Sequence, residues 1–234
     1  MTEVKSMQDR EMADVPVWDI WIRLFHWGLL TAVSASYATD QIGDLDSHYI
    51  AGLVILGLVV FRLLWGLVGS PTARFGRFVR GPKAIIAYLR HAVGGHPSFS
   101  VGHNPAGALM VLALLLALLA QSVSGLFNTD DVLFEGPLYD NASGAVADLM
   151  GDLHGVVGNL ILALVGLHVV VILLYRLLKG ENLLRAMILG RARLPQKVGV
   201  AAETSGATRF ASPLRGLACA SFAAAVPLAI HWLN

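Results

Sequence analysis

Apolar residues in this chain gather in long runs rather than in the short periodic patterns of a soluble fold. A helix needs about 20 mostly apolar residues to cross a bilayer. Five runs meet that length, at about residues 17–39, 47–68, 105–127, 153–178 and 214–233. The last is alanine-rich and interrupted by Pro227. The pattern predicts an all-α membrane protein. Two shorter stretches, "GPKAIIAYLRHAV" and "ENLLRAMILGRARLP", mix apolar and basic residues and read as surface helices. Two readings of them stand: plain connecting helices, or helices lying on anionic lipid. No internal repeat and no soluble domain is visible.

Composition agrees. Of 234 residues, 56% are hydrophobic and only 14% are charged, against about a quarter charged in a soluble domain. The single cysteine, Cys219, excludes an internal disulfide, a CxxC metal site and a CxxCH haem attachment. The opening "MTEVKSMQDREMADVPVWD" is polar and mixed in charge, unlike a secretory signal peptide. Nothing points to a nucleic-acid partner.

Charge adds direction. The loop at 70–104 holds Arg74, Arg77, Arg80, Lys83 and Arg90 and no acid. The segment at 176–215 holds eight Lys or Arg residues against Glu181 and Glu203. The turn after the first run holds Asp40, Asp44 and Asp46, and the loop at 128–152 holds six acids and no base. Basic loops stay cytoplasmic. The expected protein is therefore multi-pass in a plasma membrane, with its N-terminus inside and its C-terminus outside. Three stretches are expected: a cytoplasmic tail at 1–16, a membrane domain at 17–194, and a linker with a last span at 195–234.

The histidines carry the candidate chemistry. His91, His96, His103 and His231 fall in loops or at interfaces, and His26, His48, His154 and His168 fall in or at the edges of spans. His154 and His168 bracket "LHGVVGNLILALVGLH". Fourteen residues is close to four turns, so both rings share a helix face, about 21 Å apart in depth. The charge map matches His48 with His154 near the outer side and His26 with His168 nearer the inner side. A polar ring in a span is costly unless something binds it. Bis-histidine pairing across a bundle is one way to hold a haem iron. Gly52, Gly155, Gly158 and Gly166 lie close to these histidines, where small residues admit a flat ring or a neighbouring helix. Zinc would need thiolates or carboxylates at the same level, and a proton relay would need intramembrane acids. The span interiors supply neither.

Four stretches carry a resemblance: "PVWDIWIRLFHW", "HYIAGLVILGLVVFRLLWG", "GHNPAGALMVLALLLALLAQSVSGLF" and "LHGVVGNLILALVGLHVVVI". The chain resembles the bacterial cytochrome b561 and nickel-hydrogenase cytochrome b-subunit family, over roughly residues 16–193. The resemblance implies a transmembrane four-helix bundle holding two non-covalent b haems, with the C-terminal span as a fifth helix beyond it. It places the iron ligands on His26 with His168 and on His48 with His154. It implies electron transfer in a respiratory chain between quinone and a partner: a hydrogenase, a periplasmic dehydrogenase or a c-type cytochrome. The chain is then an electron-transfer protein or a subunit of an oxidoreductase complex. Two alternatives are a superoxide:quinone oxidoreductase and a haem-containing membrane anchor. The acidic outer loops disfavour drawing an anion such as superoxide to the outer haem. The tail beyond about residue 195 departs from the family pattern.

Other residues have two readings each. Arg23 and Arg62 can clamp propionates of the inner haem, or snorkel to lipid phosphates. In "GHNPAG", Asn104 is expected to cap a helix that starts at Pro105, which leaves His103 near the inner face as a quinone-pocket candidate. Trp18, Trp21, Trp27 and Trp65 read as interfacial anchors or as an electron route. The acidic outer loop either steers a basic partner or follows from topology alone.

Overall fold

A computed structural model describes residues 12–93, 99–129 and 134–232. His96, Asp130, Asp131 and the first eleven residues of the expected tail lie outside these. Nine helices form among the described residues: α1 Ile20–Gln41, α2 Leu45–Val68, α3 Phe75–Phe78, α4 Pro82–Val93, α5 Pro105–Gly125, α6 Gly144–Lys179, α7 Leu183–Leu189, α8 Gln196–Thr204 and α9 Pro213–His231. Two strands, β1 Met12–Pro16 and β2 Arg191–Pro195, join them.

Each span forms where its apolar run lies, and local chemistry sets its ends. Asp19 caps α1, its carboxylate accepting from the Ile22 N–H at 2.8 Å. Asp44 caps α2 through the Ser47 N–H at 3.1 Å. Asn104 caps α5 through the Gly107 N–H at 2.8 Å, with Pro105 in the first turn, as the sequence predicts. The α1–α2 turn needs a left-handed residue, and Gly43 supplies it at φ 73°.

Among the described residues, four helices are long and apolar enough to cross a membrane: α2, α5, α6 and α9. The helix α1 has 22 residues, about 33 Å of rise. Arg23, His26 and its polar last turns dilute its hydropathy below that of the other four. The helix α6 starts nine residues before the expected Leu153, at Gly144. Asp148 and Asp152 hide that extension from a count of apolar residues.

The chain divides into two compact units. One comprises Leu24–Leu64, Leu112–Gly166 and Leu217–Asn234. Its core joins Ala32 of α1, Ile55 and Val59 of α2, Ala117 and Leu118 of α5, and Val157 and Ile161 of α6. A second apolar cluster gathers Leu53, Leu56 and Leu126, with Ile230 of α9 packed on it.

The other unit comprises Met1–Arg23, Trp65–Val111 and Leu167–Gly216. Here β1 and β2 pair antiparallel, with Met12 opposite Pro195 and Pro16 opposite Arg191. The expected helix at 181–195 therefore stops early. Gly190 adopts φ 77° as the C-cap of α7, and the chain turns into β2. Val15 of β1 and Leu194 of β2 are buried against Ala202 of α8. Asp14 of β1 pairs with Arg185 of α7 at 3.0 Å.

Two of the four tryptophans, Trp18 and Trp65, depart from the interfacial reading. Trp65 is fully buried, and its indole N–H donates to Asp19 at 3.1 Å. Trp18 is buried as well. The cap of α1 therefore captures an indole that sequence places at the lipid interface.

Candidate functional site

Four helices meet at the His48 and His154 rings. His48 sits in the first turns of α2. Its Nδ1 lies 2.8 Å from the Ser36 carbonyl oxygen of α1, with the Ser36 hydroxyl at 3.3 Å. His154 lies ten residues into α6. Its Nδ1 lies 3.1 Å from the Gln121 carbonyl oxygen of α5, with the buried Ser124 hydroxyl at 3.3 Å. A carbonyl only accepts, so each Nδ1 carries the proton and donates. Each Nε2 is then the bare nitrogen, the one that binds a metal.

The two rings face each other with centres 6.1 Å apart and planes at 77°. Two imidazoles binding one metal from opposite sides, each nitrogen at about 2 Å, have their ring centres roughly 6 Å apart. The spacing fits a single iron between them. Among the described residues no three His, Cys, Asp or Glu side chains gather as a metal site. The pair offers two nitrogen donors, which could hold a haem iron.

Glycines shape the surroundings. A Cβ on Gly125 would fall 2.9 Å from His154 Cε1, so only glycine leaves the ring in place. A Cβ on Gly52 or Gly155 would meet nothing within 4 Å.

His26 lies in α1 with its ring edge-on to Trp27 at 5.2 Å. His168 lies in α6, fourteen residues after His154 and also half-buried. Arg62 of α2 is 2% exposed. It stands fourteen residues after His48, the same step that separates His154 from His168. Arg23 donates to the Ile188 carbonyl at the end of α7, which ties it to the turn that follows.

A second cluster lies in the other unit. His103 sits between Trp18 and Phe78, with ring centres 4.7 Å from each. Beside it, Asn104 donates to the Tyr175 hydroxyl at 3.0 Å, and Tyr175 shares a hydrogen bond with Tyr88. Sequence reasoning singled out His103 and Asn104 but not the tyrosines, nor Ser36, Gln121 and Ser124. The carbonyl anchors carry no sequence signal, because every residue type has a carbonyl.

Comparison with known families settles the class. The family model for prokaryotic cytochrome b561 matches residues 17–190. The chain belongs to the prokaryotic cytochrome b561 family. No curated protein and no solved structure matches it. As a member of this family it is a multi-pass membrane b-type cytochrome that works in electron transfer. The match ends at Gly190, before β2, α8 and α9.

Proposed function

We propose that this cytochrome holds two b haems and moves electrons between the quinone pool and a redox partner in a bacterial respiratory chain. The partner is a hydrogenase, a periplasmic dehydrogenase or a c-type cytochrome. The observation that carries the reading is the His48–His154 pair: ring centres 6.1 Å apart, with both Nδ1 atoms tied to backbone carbonyls. The outer haem is assigned to that pair. The inner haem is assigned to His26 and His168, which rests on their matched depth in the sequence and on the fourteen-residue step in α6.

A bound haem supplies one-electron chemistry and the protein sets its ligation and surroundings. Here the carbonyls of Ser36 and Gln121 fix the histidine tautomers and leave both Nε2 atoms unprotonated. Hydrogen bonding at Nδ1 also makes Nε2 a stronger donor. Apolar residues such as Val157 and Ile161 keep water from the bundle interior. Arg62 is assigned to an inner-haem propionate, because a guanidinium buried in a span is stable where a carboxylate meets it. Arg23 is assigned to the α7 turn.

The N-terminus is assigned to the cytoplasm of an inner-membrane protein, a reading the basic loops support, with α1 as an additional span beside α2. The quinone end is assigned to the His103 cluster, which offers ring stacking and hydrogen bonds to a quinone headgroup.

A reduced-minus-oxidised spectrum with haem quantification tests the reading, on wild type and on His48→Ala and His168→Ala. The expected result is two b haems in wild type and a different one lost in each variant. Absence of a b-type spectrum in wild type would sink the whole reading, and survival of both haems in both variants would sink the ligand assignment.

A further inference from the structure

The helix α9 lies beyond the family-matched residues, so the family's chemistry does not account for it. We propose that α9 is an external strut on α2 that positions His48, so that the outer haem depends on it and the inner haem does not. The inference rests on the outer-haem reading above.

Three contacts in one unit carry it. The first is a notch. A Cβ on Gly57 of α2 would lie 3.3 Å from the Pro227 ring and 3.5 Å from the Ala223 carbonyl oxygen. Pro227 has no N–H, so the Ala223 carbonyl four residues earlier loses its helical donor. In a membrane such a group needs a partner from a neighbouring helix. Gly57 leaves room for that oxygen and for the proline ring, which a larger side chain would displace. The proline and the glycine thus explain one another.

The second contact is apolar. Ile230 packs on the cluster of Leu53, Leu56 and Leu126. The third is polar. The Tyr49 hydroxyl and His231 Nδ1 lie 3.4 Å apart, with ring centres at 6.0 Å. On α9, residues 223, 227, 230 and 231 form one face. On α2, residues 49, 53, 56 and 57 form one face. The pairing of 231 with 49 and of 223 and 227 with 57 makes the two helices antiparallel.

Tyr49 directly follows His48. One residue is about 100° of helix, so the strut holds α2 from one side while His48 reaches His154 on another. Fixing Tyr49 fixes the turn that carries the ligand. In the other unit the chain leading into α9 is also tied to α2's end: the Ala211 N–H donates to the Ser70 hydroxyl at 2.9 Å, and Arg215 to the Val68 carbonyl at 3.0 Å.

The test uses the full-length protein with haem content, potentiometric titration and low-spin EPR of each haem. Gly57→Leu pushes Pro227 away, and His231→Ala removes the polar contact with less risk to folding. Both are expected to weaken the outer haem by about tenfold in affinity, the low end for loss of a ligand's supporting contacts, and to shift its EPR signal. The inner haem's signal and content are expected to stay as in wild type. His231→Gln, which keeps a hydrogen-bonding group, is expected to restore much of the outer signal. His48→Ala separates the two claims. If it removes the outer haem while Gly57→Leu and His231→Ala leave that haem unchanged, the strut is refuted and the haem assignment stands. If His48→Ala itself leaves the outer haem intact, both fall. Equal loss of both haems in His231→Ala also refutes the strut, since that reports general destabilisation.

Discussion

Replacing Gly125 with alanine is the sharpest probe of the outer site, because it adds one methyl group and leaves both candidate ligands in the sequence. The new Cβ would fall 2.9 Å from Cε1 and 3.2 Å from Nδ1 of His154. Carbon pairs settle at about 3.5–4.0 Å, so the ring has to retreat by about 0.6–1 Å. Its Nδ1 already stands 3.1 Å from the Gln121 oxygen, near the long end of a normal bond at about 3.2 Å. A retreat of that size breaks the bond and turns Nε2 off the iron axis. Overpacking costs about 1–3 kcal/mol, while alanine in a helix gains about 1 kcal/mol over glycine. Global stability is therefore a poor readout. Loss of an orienting hydrogen bond costs a metal site about 10–100-fold in affinity, which makes haem content the decisive one. Purified Gly125→Ala is expected to keep one haem firmly and to lose most of the other, measured by haemochrome assay and low-temperature difference spectra. Gly144→Ala is the control, since its Cβ would meet nothing within 4 Å. Wild-type haem content and an unchanged spectrum in Gly125→Ala would refute the geometry.

Arg62→Gln is expected to lower the inner haem's midpoint potential, because the oxidised haem is the more positively charged form. A charge about 10 Å away at an effective dielectric of about 20 is worth roughly 1.7 kcal/mol, or about 70 mV for one electron, and an unchanged titration would release Arg62 from its role. His103→Ala is expected to slow quinone reduction in membranes while leaving both haem spectra intact; a normal rate with a water-soluble quinone analogue would move the quinone site elsewhere. The Arg185 hydrogen bond and charge hold the Asp14 carboxyl below its usual range. A depressed folded-state value stabilises above the unfolded-state value and is lost as pH falls through the folded one. Protease access to the β1–β2 ribbon should therefore rise slightly on acidification below pH about 4, and Asp14→Asn should abolish that dependence; an identical profile in the variant would dismiss the pair.

The sequence made the membrane helices legible because burial in lipid demands long apolar runs, and polar caps such as Asn104 mark their ends. It made the spacing of His154 and His168 along one helix legible because α6 is continuous between them. The first nine residues of α6 were not legible, since Asp148 and Asp152 read as loop. The ribbon was missed for another reason. "RARLP" alternates in the manner of a strand, but its partner Met12–Pro16 lies some 175 residues earlier, and pattern reading sees only neighbours. The anchors of the site were invisible for a third. Ser36 and Gln121 act through carbonyls, which no side-chain pattern reports.

The ribbon also bears on how the protein is made. Residues 12–16 are made well before their partner strand at 191–195, which follows only after α1, α2, α5 and α6 have been synthesised. At roughly 5–20 residues per second, that interval lasts on the order of ten to thirty seconds. During it α1, α2, α5 and α6 are made before β1 and β2 can join. The ribbon can therefore pair only after those helices have been made, and it is a late, long-range contact of its own unit.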